Sequence, residues 1–159
     1  MPKAKSIRRT RTATKNKARK APIARGGENG VFQQRGVPAR RAKAELRHIP
    51  WNSVELEQLN PLLQRQFVVG RDIMVARVLM KKGCIVPEHQ HINEQVTYIL
   101  DGALKFWIDG KEIVVNAGEV LTIPSKMPHR AEALADTVDL DVFTPPRRDW
   151  MEKDDRYLR

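Results

Sequence analysis

The sequence predicts an all-β fold, and two features of residues 47–159 carry that prediction. After Ile49-Pro50-Trp51 the chain consists of short apolar runs that are rich in Val, Ile and aromatic residues and are separated by turn residues. No long helical period follows residue 60. Many short strands in so short a segment pack as a sandwich or close into a barrel, and we expect a single barrel domain over residues 47–159.

The predicted strands are apolar runs that each end at a turn. They span residues 64–69, 73–80, 96–100, 103–108, 112–115, 119–123 and 137–143. Asp101-Gly102 and Asp109-Gly110 separate the third, fourth and fifth runs, and Asp-Gly readily adopts the positive φ values of a two-residue hairpin turn. We therefore expect these three strands to form a meander. The polar segment 147–159 is expected to hold one helical turn near residues 149–153.

The first 46 residues differ in composition from the rest of the chain. Residues 1–47 contain 15 Lys/Arg and 2 Asp/Glu, a net charge of +13, whereas residues 48–159 contain 14 and 17, a net charge of −3. Phe32 is the only aromatic residue before residue 47, so this segment cannot bury enough apolar surface to offset its chain entropy. We expect a disordered basic tail over residues 1–46, with a short helical stretch over residues 39–46.

Three roles for the basic tail are compatible with its composition. Residues 1–25 contain ten Lys/Arg and no acidic residue, so they could bind nucleic acid or acidic polysaccharide by releasing counterions. The tail lacks aromatic residues for stacking on bases and has no zinc-finger or helix-turn-helix signature, which argues against base-specific binding. A solvated tail without a specific partner and an Arg-rich transit peptide are the alternatives.

The composition favours a soluble cytoplasmic protein without membrane contact. No apolar run approaches the length of a membrane span, about 18 residues, and the N-terminus lacks the apolar region of a secretory signal. Cys84 is the single cysteine, so no intrachain disulfide can form. Its neighbours Gly83 and Ile85 are typical of a small buried side chain rather than of a nucleophile.

Three of the four histidines lie in two short clusters. Alternation along a strand places His89, His91 and Gln95 on one face, and Glu94 on the opposite face. With His129 on a neighbouring strand, three imidazole nitrogens and the Gln95 amide oxygen could hold one metal ion and leave positions open for a substrate. The alternative is that these are surface or core histidines without a metal.

Both clusters resemble the two motifs of the cupin superfamily (cupin type-2, RmlC-like). In the first motif the spacing matches at Gly83, His89, His91 and Gly102, with Gln95 at the usual Glu position. In the second it matches at Gly118, Pro124 and His129, with Lys126 and Ala133 in place of the usual Gly and Asn. The resemblance covers about residues 50–148. It implies a double-stranded β-helix, or jelly-roll barrel, that is usually dimeric and holds a metal at its centre.

The neutral Gln95 at the carboxylate position has a chemical consequence. An anionic ligand would lower the net charge of the site, whereas Gln leaves a divalent metal at full charge and more electrophilic. Lewis-acid chemistry is therefore favoured over oxygen activation. Nitrogen and oxygen ligands do not decide whether the divalent transition metal is Zn, Ni, Mn or Fe.

A second group of residues follows His129. Asp139, Asp141 and Phe143 share one strand face, which is either a solvated surface or an inward face that carries acid/base groups to the metal. The segment D-V-F-T-P-P-R is similar to one in small KdgF-like cupins of pectin and alginate degradation. That resemblance implies a metal held by His89, His91, Gln95 and His129, with Asp141, Phe143 and Arg147 lining the active site.

The leading hypothesis is a metal-dependent isomerase or tautomerase that acts on a small carboxylated sugar. The KdgF-like family converts unsaturated uronates to their linear keto forms, in which Asp141 would move a proton, Arg147 would bind a carboxylate bidentately and Phe143 would pack on the ring. One alternative is a non-catalytic cupin that binds a metal or small ligand and uses its tail to contact a polyanion. Another is a dioxygenase with a three-histidine metal site.

Overall fold

The computed structural model describes residues 43–159, and within them ten strands and three short helical turns follow one another. The strands are β1 (Glu57–Asn60), β2 (Leu63–Val69), β3 (Met74–Met80), β4 (Ile85–His89), β5 (Glu94–Asp101), β6 (Ala103–Ile108), β7 (Lys111–Asn116), β8 (Val120–Ile123), β9 (His129–Ala133) and β10 (Thr137–Thr144). The helical turns are a 3-10 turn at Trp51–Ser53, the α-helical turn α1 (Arg148–Met151) and a 3-10 turn at Arg156–Leu158.

The strands form two antiparallel sheets that face each other across one core. The first sheet has the order β1-β2-β3-β10-β5-β8, and the second has the order β4-β9-β6-β7. Strands that follow one another in the chain repeatedly lie in different sheets, as in a jelly roll. The predicted all-β barrel is confirmed, and so is the helical turn that was expected near residues 149–153.

The predicted meander is wrong at its first turn. β5 pairs with β10 and β8, whereas β6 pairs with β9 and β7, so Asp101-Gly102 is a corner between the two sheets. Gly102 has a φ of 80°, and a Cβ at this position would lie 2.3 Å from the Asp136 carbonyl oxygen, so only glycine fits. The second turn is as predicted, because Ile108 pairs with Lys111 around Asp109-Gly110.

Three observed strands were not among the predicted apolar runs, although the placement of His89 and His129 on neighbouring strands is confirmed by two of them, β4 and β9. β1, β4 and β9 have the sequences EQLN, IVPEH and HRAEA, which contain few β-branched or aromatic residues. Their strand conformation depends on pairing with a neighbouring strand, since β1 pairs with β2 and β4 pairs with β9. Local propensity could not reveal them because the stabilising partner is elsewhere in the chain.

The core lies between the inner faces of the two sheets, where alternate side chains of each strand are buried. On β10 this inner face is unusually polar, because Thr137, Asp139 and Asp141 are buried along with Phe143. Apolar side chains surround it, and each contributes about 1.5–3 kcal/mol on burial. They include Met74, Ile99, Leu104, Phe106 and Ile123.

The C-terminal segment is tied to the first two strands. The Asn60 amide Nδ2 donates to the Leu158 carbonyl oxygen at 2.8 Å. Arg65 forms ion pairs at 2.7 Å with both Glu57 and Asp155, and Arg65 and Asp155 are fully buried. These contacts fix residues 155–158 against the first two strands.

The remaining predictions concern the first 46 residues, Cys84 and membrane contact, and the structure tests them only where it describes the chain. Residues 43–46 are exposed and form no helix, so this part of the predicted helical stretch is wrong. The predicted disorder of residues 1–42 lies outside the described residues. The predicted domain boundary between residues 46 and 47 stays a prediction. Cys84 is buried, in agreement with a packing role. Within residues 43–159 no helix is long and apolar enough to cross a membrane.

Candidate metal centre

Three histidines from two strands and a loop converge at one end of the barrel. His89 ends β4, His129 begins β9, and the two pair directly across the four-stranded sheet. His91 lies in the loop between β4 and β5, so the prediction that alternation along one strand places it with His89 and Gln95 is wrong, because the strand ends at His89. One ring nitrogen of each of the three residues lies within 4.8 Å of the others, as a shared metal ion requires.

Backbone carbonyl groups fix the orientation of each imidazole. The Nδ1–H groups of His89, His91 and His129 donate to the carbonyl oxygens of Pro87, Asn93 and Met127 at 2.9, 3.0 and 2.8 Å, respectively. A carbonyl oxygen only accepts, so each Nδ1 carries the proton and each Nε2 keeps a free lone pair. Every acceptor lies two residues away from its histidine, so local backbone conformation selects the ligating nitrogen.

The Gln95 side chain directs an oxygen toward the three histidines and is the fourth member of this candidate ligand set. Its Nε2 donates to Asp141 Oδ1 at 2.7 Å and to Thr97 Oγ1 at 2.9 Å, which directs Oε1 toward the histidines. The distance between Gln95 Oε1 and His91 Nε2 is 3.1 Å. Because His91 Nδ1 carries the proton, two lone-pair atoms face each other there, and a cation between them would relieve their repulsion. The donor set thus fits a metal ion.

The electrostatic environment keeps the three histidines neutral. Burial is the main cause that lowers the pKa of His89 to about 3, and repulsion between the protonated forms of His89 and His129 is the second. Burial and the Arg147 charge lower the pKa of His91 to about 4, and burial also lowers the pKa of His129. Neutral imidazole is the form that binds metals, so no proton has to be removed near neutral pH.

A pair of buried carboxyl groups lies beside the ligand set. Asp139 and Asp141 are 3% and 5% exposed, and they hydrogen-bond to each other. Burial raises the pKa of both, and the neighbouring Asp141 charge raises that of Asp139 further. Of the two alternatives for this acidic face, the structure shows the inward one. Thr97 and Gln95 both donate to Asp141 Oδ1, so Asp141 is connected directly to the ligand set.

Arg147 is buried near the site, but most of its hydrogen bonds are already made. Nε and Nη2 donate to the two carboxylate oxygens of Asp149 at 3.0 and 2.6 Å, and Nη2 also donates to Tyr157 Oη at 2.6 Å. The bidentate carboxylate pairing expected with a substrate is therefore made with Asp149. Within residues 43–159, Nη1 is the Arg147 nitrogen for which no hydrogen bond is found, so it is the one that can contact a ligand. The guanidinium also lies over the rings of Phe143 and Trp150.

Phe143 and three of the four candidate ligands, His89, Gln95 and His129, line one cavity between the sheets. The Phe143 ring meets the His91 ring edge-on, with their centroids 5.7 Å apart. The cavity wall also includes Asp141 and Tyr157. Charged and polar groups thus meet an apolar wall, which is typical of small-molecule sites.

Two residues of this site were missed by the sequence prediction. Thr97 has the same strand parity as Gln95, so alternation along β5 could have placed it in the site. Tyr157 stacks on the His89 ring at 4.7 Å with 26° between the planes. No spacing rule connects Tyr157 to the histidines, because the path of the C-terminal segment brings it there.

Comparison with known proteins agrees with this architecture. The cupin domain family profile matches residues 76–144. The pectin degradation protein KdgF of Dickeya dadantii is 27% identical over 105 residues, covering 64% of this chain and 91% of the relative. Quercetin 2,3-dioxygenase of Bacillus subtilis is 28% identical over 114 residues, covering 62% of this chain but only 34% of the relative.

A solved structure gives the same result for the fold. An RmlC-like cupin from Shewanella frigidimarina superposes with a TM-score of 0.62 at 25% identity, covering 69% of this chain and 99% of that protein. The segment matched by the family profile, residues 76–144, includes both histidine motifs. The chain belongs to the cupin superfamily and is related to the KdgF-like cupins.

Proposed function

We propose that this protein is a metal-dependent enzyme that isomerises an unsaturated uronate, or a related small carboxylated sugar, to its linear keto form. The observation that carries the proposal is the contact between Gln95 and Asp141, which joins an oriented ligand set to a buried acid/base group at 2.7 Å. The relationship to the pectin degradation protein KdgF supports the substrate class.

His89, His91, Gln95 and His129 would hold one divalent ion of Zn, Ni, Mn or Fe. Such an ion acts as a Lewis acid that polarises a substrate oxygen. The neutral Gln95 adds no negative charge, so the positive charge at the site is retained.

Asp141 would transfer the proton. The isomerisation needs one proton removed from an oxygen and one added to a carbon, without an oxidant or a reductant. Burial raises the pKa of Asp141 above its ordinary value, which favours a carboxyl group that donates as well as accepts a proton. Asp139 is buried next to it and hydrogen-bonded to it, which favours a single shared proton.

Arg147 and Phe143 would position the substrate. Asp149 occupies two guanidinium nitrogens, so we assign Arg147 a single contact to the substrate carboxylate through Nη1, together with its charge. The Phe143 ring lines the cavity wall and offers an apolar face to a sugar ring.

The proposal is tested with full-length protein and unsaturated uronate monomers. Metal content is measured by mass spectrometry, and turnover is followed by loss of the ultraviolet absorbance of the conjugated double bond. Asp141→Asn should abolish turnover and leave metal content unchanged, because the amide oxygen still accepts hydrogen bonds from Thr97 and Gln95. Wild-type turnover in that variant would remove Asp141 from the mechanism.

Two other functions have distinguishable outcomes in the same experiment. Stoichiometric metal without turnover on any uronate would favour a non-catalytic cupin that binds a metal or small ligand. The similarity to quercetin 2,3-dioxygenase favours a three-histidine oxygenase as the second candidate. Oxygen uptake with a flavonol substrate would support that candidate and contradict the isomerase.

We also propose that the protein is a cytoplasmic homodimer. The outer face of the six-stranded sheet exposes Leu100 and Val120 by 46 and 57%, which is a suitable apolar surface for a second copy. Sedimentation velocity at several concentrations tests the dimer, and a monomer throughout would contradict it.

The basic tail is proposed to contact polyanions non-specifically, and deletion of residues 1–46 should abolish salt-sensitive retention on DNA or acidic polysaccharide.

A further inference from the structure

Tyr157 lies at the metal centre without a role in the function proposed above. We infer that Tyr157 is a further catalytic residue, whose phenolic O–H donates a hydrogen bond to the substrate oxygen that gains negative charge. This inference rests on the proposed function, because it assigns a donor to the same site.

The position of Tyr157 is fixed by the C-terminal segment. Its ring stacks on His89, with centroids 4.7 Å apart and 26° between the planes, so the side chain lies directly beside a candidate metal ligand. Its neighbour Leu158 is buried in the core, and the Leu158 carbonyl oxygen accepts a hydrogen bond from Asn60. Asp155 anchors the same turn through its ion pair with Arg65. Tyr157 is therefore held in place before any ligand binds.

The hydrogen bonds of Tyr157 leave its own proton unused. Its Oη accepts from Arg147 Nη2 at 2.6 Å and from Trp150 Nε1 at 3.4 Å. Guanidinium and indole nitrogens only donate, so neither can accept the phenolic proton. Among residues 43–159 no acceptor for that proton is found, whereas the side chain lines the cavity that also contains His89 and Asp141. A bound substrate oxygen is the acceptor that this arrangement lacks.

The neighbouring charge suits a donor of this kind. Arg147 contacts the phenol oxygen and carries a positive charge, which makes the O–H group a stronger hydrogen-bond donor. Preorganised donors aimed at a developing oxyanion are among the largest contributors to enzymatic rate, and removal of one costs about 100- to 1000-fold in kcat. A residue that only covered the cavity would not contribute through its hydroxyl group.

The first test compares the turnover of Tyr157→Phe with that of Tyr157→Ala. Tyr157→Phe keeps the ring that stacks on His89 and removes only the hydroxyl group. We expect kcat to fall about 100-fold, with metal content unchanged and KM changed much less. Tyr157→Ala should lose the stacked ring as well. If Tyr157 had only a structural role, Phe would restore the turnover that Ala loses, and that result would overturn the inference.

The chain supplies a matched control, because Tyr98 is its only other tyrosine and lies on the outer face of the six-stranded sheet. Tyr98→Phe should leave kcat unchanged. An equal fall in kcat in both variants would show a general effect of losing a hydroxyl group and would also overturn the inference.

A binding measurement separates this inference from the proposed function. Oxalate, a planar dianion that resembles an enolate, is titrated into Co²⁺-loaded protein and followed by visible absorption. We expect Tyr157→Phe to weaken oxalate binding about tenfold while the Co²⁺ affinity stays the same. If the wild type turned over no uronate but showed this difference, the reaction proposed above would fail and the donor role would stand. Equal oxalate affinities, or no oxalate binding by the wild type, would overturn the donor role.

Discussion

The two sheets of the barrel contribute different side chains to the candidate metal centre, and they fix them in different ways. The four-stranded sheet supplies His89 and His129, each oriented by a backbone carbonyl two residues away. The six-stranded sheet supplies Gln95 and Asp141, which orient each other across 46 residues of sequence. Local contacts thus determine where the imidazole nitrogens point, while contacts between strands determine where the Gln95 oxygen and the Asp141 carboxyl group point.

The largest expected effect comes from removing one ligand of the four-stranded sheet. His129→Ala should weaken metal binding by more than about 100-fold, since it removes a direct ligand rather than one of its outer partners. Metal affinity is measured by competition with a chromophoric chelator. His48→Ala is the matched control, because His48 is exposed and outside the cluster. Full metal affinity in His129→Ala would show that the histidines do not form one site.

The next effect concerns how the stability of the metal-free folded protein depends on pH. The folded-state pKa of His89 is about 3 and that of His91 is about 4, both below the ordinary value of 6.5. The unfolded chain therefore binds protons that the folded protein does not, so stability is fully present above pH 6.5 and falls as the pH decreases toward 4 and then 3. The slope is about 1.4 kcal/mol per pH unit for each such histidine.

Thermal unfolding of metal-free protein between pH 4 and pH 8 measures this dependence. His89→Asn should flatten the curve, because one of the titrating groups is removed. A curve that is as steep in the variant as in the wild type would show that other groups cause the acid destabilisation.

A smaller effect is expected in the six-stranded sheet, where Thr97 orients Gln95. Thr97 is fully buried, accepts from Gln95 Nε2 at 2.9 Å and donates to Asp141 at 2.6 Å. Thr97→Val keeps the volume but loses both contacts, so we expect metal affinity to fall about tenfold, as for other residues that orient a ligand.

Thr97→Ser provides the control for this prediction. It keeps the hydroxyl group, and we expect its metal affinity to stay within about twofold of the wild type. If Val and Ser had the same affinity, the contacts between strands would not orient Gln95, and the contrast between the two sheets would fail.

Much of the fold was predictable from local patterns, and the exceptions have a common cause. Apolar runs gave seven of the ten strands in residues 43–159, and the Asp109-Gly110 turn was predicted because its geometry depends on two adjacent residues. β4 and β9 were inferred only from the histidine spacing and not from an apolar run, because their strand conformation comes from pairing with each other. The corner at Asp101-Gly102 was mistaken for a hairpin, since the same dipeptide suits both and only the choice of sheet separates them.

The same division applies to the site. The spacing of His89, His91 and His129 by itself indicated a shared site, although strand alternation does not apply to His91, which lies in a loop and is oriented by the Asn93 carbonyl oxygen. Only the tertiary structure decided that the acidic face of β10 lies inside, that Arg147 is paired with Asp149, and that Tyr157 covers His89. Each of these depends on which strands pair and how the C-terminal segment packs, and such contacts between distant residues leave no periodicity in the sequence.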